Sequence, residues 1–258
     1  MPRLRANDTT HRVKALVVSD LHYALPQYEW LLQRAERYDL VVIAGDLLDL
    51  GSTVEPDVQI LVVSKYLEAL RTRTRVAVCS GNHDGDVLNA PGEFTAEWLR
   101  ALAGEGLFVD GDSFDFGPDR VTICPWWETE ASRENMTALL EGEVARRGGF
   151  RRWIWVHHAP PAHSPVAWNG KASSGDPVLE ALIRRLEPDI VLSGHIHNAP
   201  FYSQGAWVAK LGRSLVFNAG NQIGPIPATI RLDLGGNIAV YHSLEVEESR
   251  DLGAMIRE

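Results

Sequence analysis

Five short stretches hold the groups most able to bind metal and move protons. They are Asp20-Leu21-His22, Gly45-Asp46-Leu47-Leu48-Asp49, Gly81-Asn82-His83-Asp84, His157-His158-Ala159-Pro160 and Gly194-His195-Ile196-His197. Six of the nine histidines lie in them; His11, His163 and His242 do not, and read as ordinary surface or core residues. Asp, His and Asn offer oxygen and nitrogen donors, and no cysteine joins them. That donor set suits divalent cations in a reactive site better than a sulfur-rich structural zinc. In extended chain, residues i and i+2 point the same way. Asp20 with His22, and His195 with His197, can therefore each serve one side of a site. Asp46 has two carboxylate oxygens and could bridge two cations. Two cations roughly 3.5–4 Å apart can clamp a phosphate and lower the pKa of a water towards about 7.

Alone, each stretch has a plain structural reading as a turn, a helix cap or a rigid loop. Their shared position argues otherwise, because each follows an apolar run of strand type. Strands are expected at 13–19, 40–44, 75–79, 152–156 and 189–192. In open α/β sheets, ligands bind outside the C-terminal ends of the strands. Helical spacing is read over 27–38, 57–71, 93–103, 131–147 and 177–186, with short strands between 107 and 127. After His197 the pattern changes to strands without helices, at 206–210, 214–217, 228–234 and 237–243. Gly235-Gly236-Asn237 marks a hairpin turn. A front half of alternating strand and helix, followed by a strand meander, predicts an α/β sandwich of two sheets. No repeat or linker divides it. The expected layout is a polar segment at 1–12, one domain at 13–244, and a charged tail or loose helix at 245–258.

The totals fit a single large domain of 258 residues with 45% hydrophobic side chains. A net charge of −9 argues against general duplex nucleic-acid binding, which calls for a basic stripe. It leaves anionic substrates open, since bound cations reverse the local field. Cys79 and Cys124 sit in apolar runs and read as buried thiols in a reducing compartment. The N-terminal stretch is not of signal-peptide type, and no run reaches membrane-spanning length. A cytoplasmic protein without membrane partners is expected.

In this order the five stretches resemble the signature of the calcineurin-like metallophosphoesterase superfamily: Asp-x-His, Gly-Asp-x-x-Asp, Gly-Asn-His-Asp/Glu, a later His, then Gly-His-x-His. The resemblance runs from Asp20 to His197 and implies a four-layer αββα sandwich of two mixed sheets flanked by helices. It implies two divalent metal ions, with manganese, iron and zinc all compatible with the ligands. Asp20, His22 and His197 would hold one ion, and Asn82, His158 and His195 the other, with Asp46 bridging. His157 competes with His158 for its place. The resemblance makes His83 the catalytic histidine beside the leaving group, Asp84 the acid that orients it, and Asp49 a supporting acid near the bridging loop. A metal-bridging hydroxide would attack phosphorus, and Asn82 would help stabilise the phosphoryl oxygens.

The implied activity is hydrolysis of a phosphomonoester or phosphodiester, with a small molecule or nucleotide as substrate. Alternatives are a nuclease of the same superfamily and a non-catalytic protein-binding scaffold. The acidic balance disfavours the first, and a complete ligand set the second. Trp168, in the Gly-, Ser- and Pro-containing 161–176 loop, is the candidate substrate contact. It reads equally as a structural residue, whereas Trp126 and Trp127 read as core or interface.

Overall fold

Side chains alternate between the two faces of a strand, and here both faces of the central strands are apolar. The computed structural model describes residues 13–257; the 1–12 segment and Glu258 lie outside the described residues. Strands β1 (Lys14–Val18), β2 (Leu40–Ala44) and β3 (Arg75–Cys79) pair in parallel. Helices α1 (Leu25–Arg34) and α2 (Pro56–Arg71) cross over between them. A small hairpin, β4 (Val87–Leu88) with β5 (Phe94–Thr95), and the short helix α3 (Glu97–Ala101) precede β6 (Leu107–Phe108), which pairs parallel to β3.

The chain then builds a second sheet from β7 (Ser113–Phe116), β8 (Asp119–Ile123), β9 (Trp153–Val156), β10 (Ile190–Ser193), β11 (Val208–Leu211) and β12 (Ser214–Asn218). Helices α4 (Glu130–Val144) and α5 (Pro177–Leu186) connect its parallel strands. Strands β13 (Thr229–Asp233), β14 (Ile238–His242) and β15 (Glu247–Asp251) return to the first sheet, and α6 (Leu252–Arg257) follows. The sheet orders are β15-β14-β13-β1-β2-β3-β6 and β11-β12-β10-β9-β8-β7.

Alternation sorts the core into layers. Ala15, Val17, Leu40 and Val42 join Ile154, Val156 and Phe217 between the sheets. Leu16, Val18, Val41 and Ile43 face outward, against Tyr28 and Leu31 of α1 and Val63 and Leu67 of α2. On the far side, Trp153 and Trp155 meet Met136 and Leu140 of α4 and Leu179 and Ile183 of α5. Each fully buried side chain of this kind contributes about 1.5–3 kcal/mol, so strands buried on both faces make a firm floor for a site at their ends. The result is the four-layer αββα sandwich expected from the resemblance.

Three local expectations change. The stretch 93–103 is not one helix. Phe94 and Thr95 pair with β4, and α3 starts only where Asp86 Oδ1 accepts the backbone N–H of Glu97 at 2.7 Å. The back half is not one meander either. β11 and β12 complete the second sheet, and β13 to β15 cross to the first. Finally, 247–251 is not a loose tail but an edge strand antiparallel to β14. Its run of Glu247, Glu248, Ser249, Arg250 and Asp251 keeps that edge charged, which discourages further strand pairing.

Candidate metal centre

All five stretches lie at the C-terminal ends of strands that run parallel within their own sheet. Asp20 and His22 follow β1, Asp46 and Asp49 follow β2, and Asn82 to Asp84 follow β3. His157 and His158 follow β9, and His195 and His197 follow β10. Pairing continues past the strands. The backbone N–H groups of Asp20 and His22 donate to the carbonyls of Gly45 and Asp46, each at 3.0 Å. The two sheets are joined here as well, since the N–H of His195 donates to both carboxylate oxygens of Asp20 at 3.0 and 3.1 Å. Asn221 Nδ2 adds a bond to the Asp20 carbonyl at 2.7 Å.

The turns that aim these side chains are strained. Asp20, His22, Asp46 and His195 all have left-handed φ, between 41° and 66°. Such a conformation costs an L-residue about 1–2 kcal/mol and is a recurrent feature of functional sites. Two glycines show how tightly the backbone packs. A Cβ on Gly45, whose φ is +85°, would lie 2.4 Å from His158 Nδ1. One on Gly81 would lie 2.2 Å from Asp46 Oδ1.

Two ligand groups result, and Asp46 belongs to both. Asp20, His22, Asp46 and His197 offer donor atoms within 4.8 Å of one another, as do Asp46, His158 and His195. His197 Nε2 lies 3.2 Å from Asp20 Oδ1, and His22 Nε2 lies 3.0 Å from His197 Nε2. Asp46 Oδ1 is occupied by the backbone N–H of His83 at 3.0 Å. Oδ2 faces both groups, 3.1 Å from His158 Nε2 and 3.7 Å from His22 Nε2. His158 Nδ1 donates to the Ala44 carbonyl at 2.8 Å, and His22 Nδ1 lies 3.3 Å from the Leu48 carbonyl. Both bonds leave Nε2 as the free donor atom, the usual second contact of a metal-binding histidine. His157 stays outside the groups. Its ring stacks on Trp127 at 4.1 Å, with Nδ1 directed at the Cys124 carbonyl.

Electrostatics favour bound cations. Asp20 and Asp46 are buried, which alone would raise their pKa values. The bond to His197 and the charge of His158 outweigh burial at Asp20, and His158 outweighs it at Asp46, so both stay below the usual carboxylate range. Burial lowers His158 too, but Asp46 and Asp20 hold it up at about 9. Protons thus supply the positive charge that the carboxylates demand. Buried Asn82 Oδ1 has no hydrogen-bond partner, and buried His158 Nε2 meets Asp46 Oδ2 as an ion-pair contact at 3.1 Å without a well-angled hydrogen bond. Buried polar atoms are rarely left so, and both belong to the set expected to hold the second ion. The residues therefore fit a pair of divalent cations.

Around this centre the supporting acids exchange roles. Asp84 does not orient the His83 ring. Its carboxylate accepts N–H bonds from Leu47 at 2.8 Å, Leu48 at 3.0 Å and Gly81 at 2.8 Å, tying the Asp46 loop to the Asn82 loop. Burial, reinforced by Asp46, pushes Asp84 up to about 7. Asp49 is the acid nearer the His83 ring, with donor atoms of Asp49, His83 and His22 within 4.8 Å of one another. Trp168 is half-buried in its loop, and among the described residues it makes no ring contact with the site histidines. Trp126 does, with its centroid 5.4 Å from His195 and 5.7 Å from His158. Trp127 is buried and bonds Asp176 through Nε1 at 2.7 Å. The core reading holds for Trp127 and fails for Trp126. Its preceding Pro125 gave no sign that β8 delivers it beside β9 and β10.

Residues 13–199 match the family model described as calcineurin-like phosphoesterase. Among curated proteins none matches. Solved structures share the fold. The protein TT1561 of Thermus thermophilus superposes with a TM-score of 0.59 at 18% identity, covering 93% of this chain and 99% of that one. The purple acid phosphatase PPD1 from yellow lupin, Lupinus luteus, gives 0.57 at 16% identity over 94% of this chain and 52% of that one. A dimetal phosphatase from Danio rerio gives 0.50 at 12% identity, covering 93% and 96%. At such identities the likeness speaks for the fold, whereas the family match spans most of the chain and takes in every ligand position. The chain belongs to the calcineurin-like phosphoesterase family and is a metal-dependent hydrolase of phosphoesters.

Proposed function

We propose that the protein hydrolyses a small-molecule or nucleotide phosphoester using two first-row divalent ions, with manganese the first to test. The observation that carries this is the meeting of two ligand groups at Asp46. Asp20, His22 and His197 would hold one ion and Asn82, His158 and His195 the other, with Asp46, whose Oδ2 lies 3.1 Å from His158 Nε2 and 3.7 Å from His22 Nε2, shared between the two groups. The bound ions supply Lewis acidity towards phosphoryl oxygens and a water acidic enough to act as nucleophile.

The chain's own residues do the rest. Asn82 lies on the loop that ends β3 and can donate from its amide to a phosphoryl oxygen once Oδ1 is used as a ligand. His83 is partly exposed at the mouth of the site. Its Nδ1 accepts a long bond from the Leu50 N–H, 3.4 Å, so the proton resides on Nε2. Nε2 lies 4.0 Å from Asp46 Oδ2, on the side of the metal groups. From there Nε2–H can donate a hydrogen bond to a departing alkoxide oxygen. Asp84 acts by holding loops, not by moving protons.

The test is a panel of phosphomonoesters, cyclic nucleotides and dinucleotides, assayed with manganese, iron and zinc separately. Turnover of one class that vanishes on chelation and returns with a single metal is expected. Metal-independent turnover, or none with any metal, would overturn the proposal.

A further inference from the structure

Trp126 packs against two histidines of the second ligand group, His158 and His195, and is hydrogen-bonded at two points. Its backbone N–H donates to Ser80 Oγ at 3.0 Å, beside the Gly81-Asn82 turn. Its indole Nε1 donates to Glu128 Oε1 at 3.2 Å, so the polar edge of the ring is engaged. The segment that follows Trp126 is held in turn by Glu93, which is 1% exposed and lies on the β4–β5 hairpin just after the His83 loop. The Glu93 carboxylate accepts the N–H of Glu128, Ser132 Oγ at 2.8 Å and Thr129 Oγ1 at 3.1 Å. A buried acid thus latches the hairpin to the first turn of α4, where a carboxylate also meets the positive end of the helix dipole. On the same hairpin, Leu88 and Phe94 are directly paired across the strands and are 58% and 56% exposed. The second ligand group is therefore bordered by an indole bonded at its backbone and its ring nitrogen, and the hairpin that carries Glu93 also exposes an apolar pair.

We infer that Trp126 is the specificity wall of the site, against which a planar aromatic group of the substrate lies, and that Glu93 is the positioning residue that holds it there. An aromatic face held in one rotamer loses little freedom on binding, and stacking a base on it is sequence-tolerant and favourable. Because Glu128 takes the N–H, the ring offers its face rather than a hydrogen bond. The substrate class this selects is an aryl or nucleoside phosphoester over an aliphatic one. The inference rests on the phosphoesterase reading above.

The test uses two hydrolysis-resistant phosphonates, one carrying adenosine and one a propyl chain. Each is titrated calorimetrically into the manganese-loaded protein. The wild type should bind the adenosine compound more tightly. Trp126→Ala should weaken that compound about tenfold and leave the propyl compound within about twofold. Trp126→Phe should keep most of the preference. Glu93→Ala should shift the adenosine compound in the same direction, and Glu93→Gln, which keeps one acceptor, should shift it less. Equal weakening of both compounds by Trp126→Ala would make the indole a buttress of the histidines and overturn the inference. So would a wild type with no preference, or a Trp126→Ala variant that retains it. Absence of turnover on every phosphoester would overturn the phosphoesterase reading instead, while the adenosine-versus-propyl comparison still decides the role of Trp126.

Discussion

His83 and the two acids near it separate chemistry from scaffolding. His83 holds its proton at Nε2, facing Asp46 Oδ2. His83→Gln should therefore slow esters with poor leaving groups by about 10²–10⁴-fold. Aryl esters, whose departing oxygen needs no proton, should be slowed far less. Equal losses on both would show that His83 is no proton donor. Asp84 and Asp49 should respond in opposite ways. Asp84→Ala strands three buried N–H groups, each costing about 1–3 kcal/mol, so urea unfolding should show a loss of at least about 3 kcal/mol. Asp49→Asn keeps an acceptor for the Gly51 N–H. It should stay within about 1 kcal/mol of the wild type while kcat falls. An Asp84→Ala variant as stable as the wild type would refute the loop-tying role.

At the scale of elements, the parallel strand ends do the positioning, and glycine permits it. Gly81→Ala would place a Cβ 2.6 Å from the Asp46 backbone nitrogen as well as against its carboxylate. A shift of about 1 Å in a catalytic group can cost 10²-fold. Turnover should fall by about that factor, with metal content per chain reduced, and a variant with normal metal content and turnover would contradict the packing described. This level was largely legible in the sequence. An apolar run followed by Gly-Asp, Gly-Asn-His or Gly-His-x-His declares both the strand and the group at its end. Asp84 was misread because its three partners come from two loops, and only parallel pairing of β2 and β3 brings Leu47 and Leu48 to it. Glu93 and Trp126 were obscured for the same reason. Glu93 sits in a stretch with helical spacing that the structure splits between a strand and α3, and Trp126 gains its neighbours from β9 and β10. Contacts between elements distant in sequence leave no periodic trace.

At the scale of the molecule, two sheets meet over one site, so buried charge and stability are linked. Asp110 lies under this junction, with Oδ1 accepting the Ser80 N–H at 2.8 Å and Oδ2 unpartnered. Burial pushes it from 3.8 up to about 6. The folded state therefore keeps a proton that the unfolded chain releases. The stability this adds is fully present below about pH 4 and is lost as pH rises through about 6. Relative to Asp110→Asn, the metal-free wild type should lose up to about 3 kcal/mol across that window in urea titrations. Parallel pH profiles for the two proteins would refute the shift. At the junction itself, one carboxylate, Asp46, is shared by both ligand groups. Metal content per chain by mass spectrometry, with turnover of the same samples, tests it for wild type and Asp46→Asn. A single supporting partner of a metal ligand already accounts for 10–100-fold in affinity or activity. Asp46→Asn should therefore lose tight binding of both ions and at least about 10²-fold in turnover, against two ions per wild-type chain. Two tightly held ions and full turnover in Asp46→Asn would show that Asp46 is not the shared ligand.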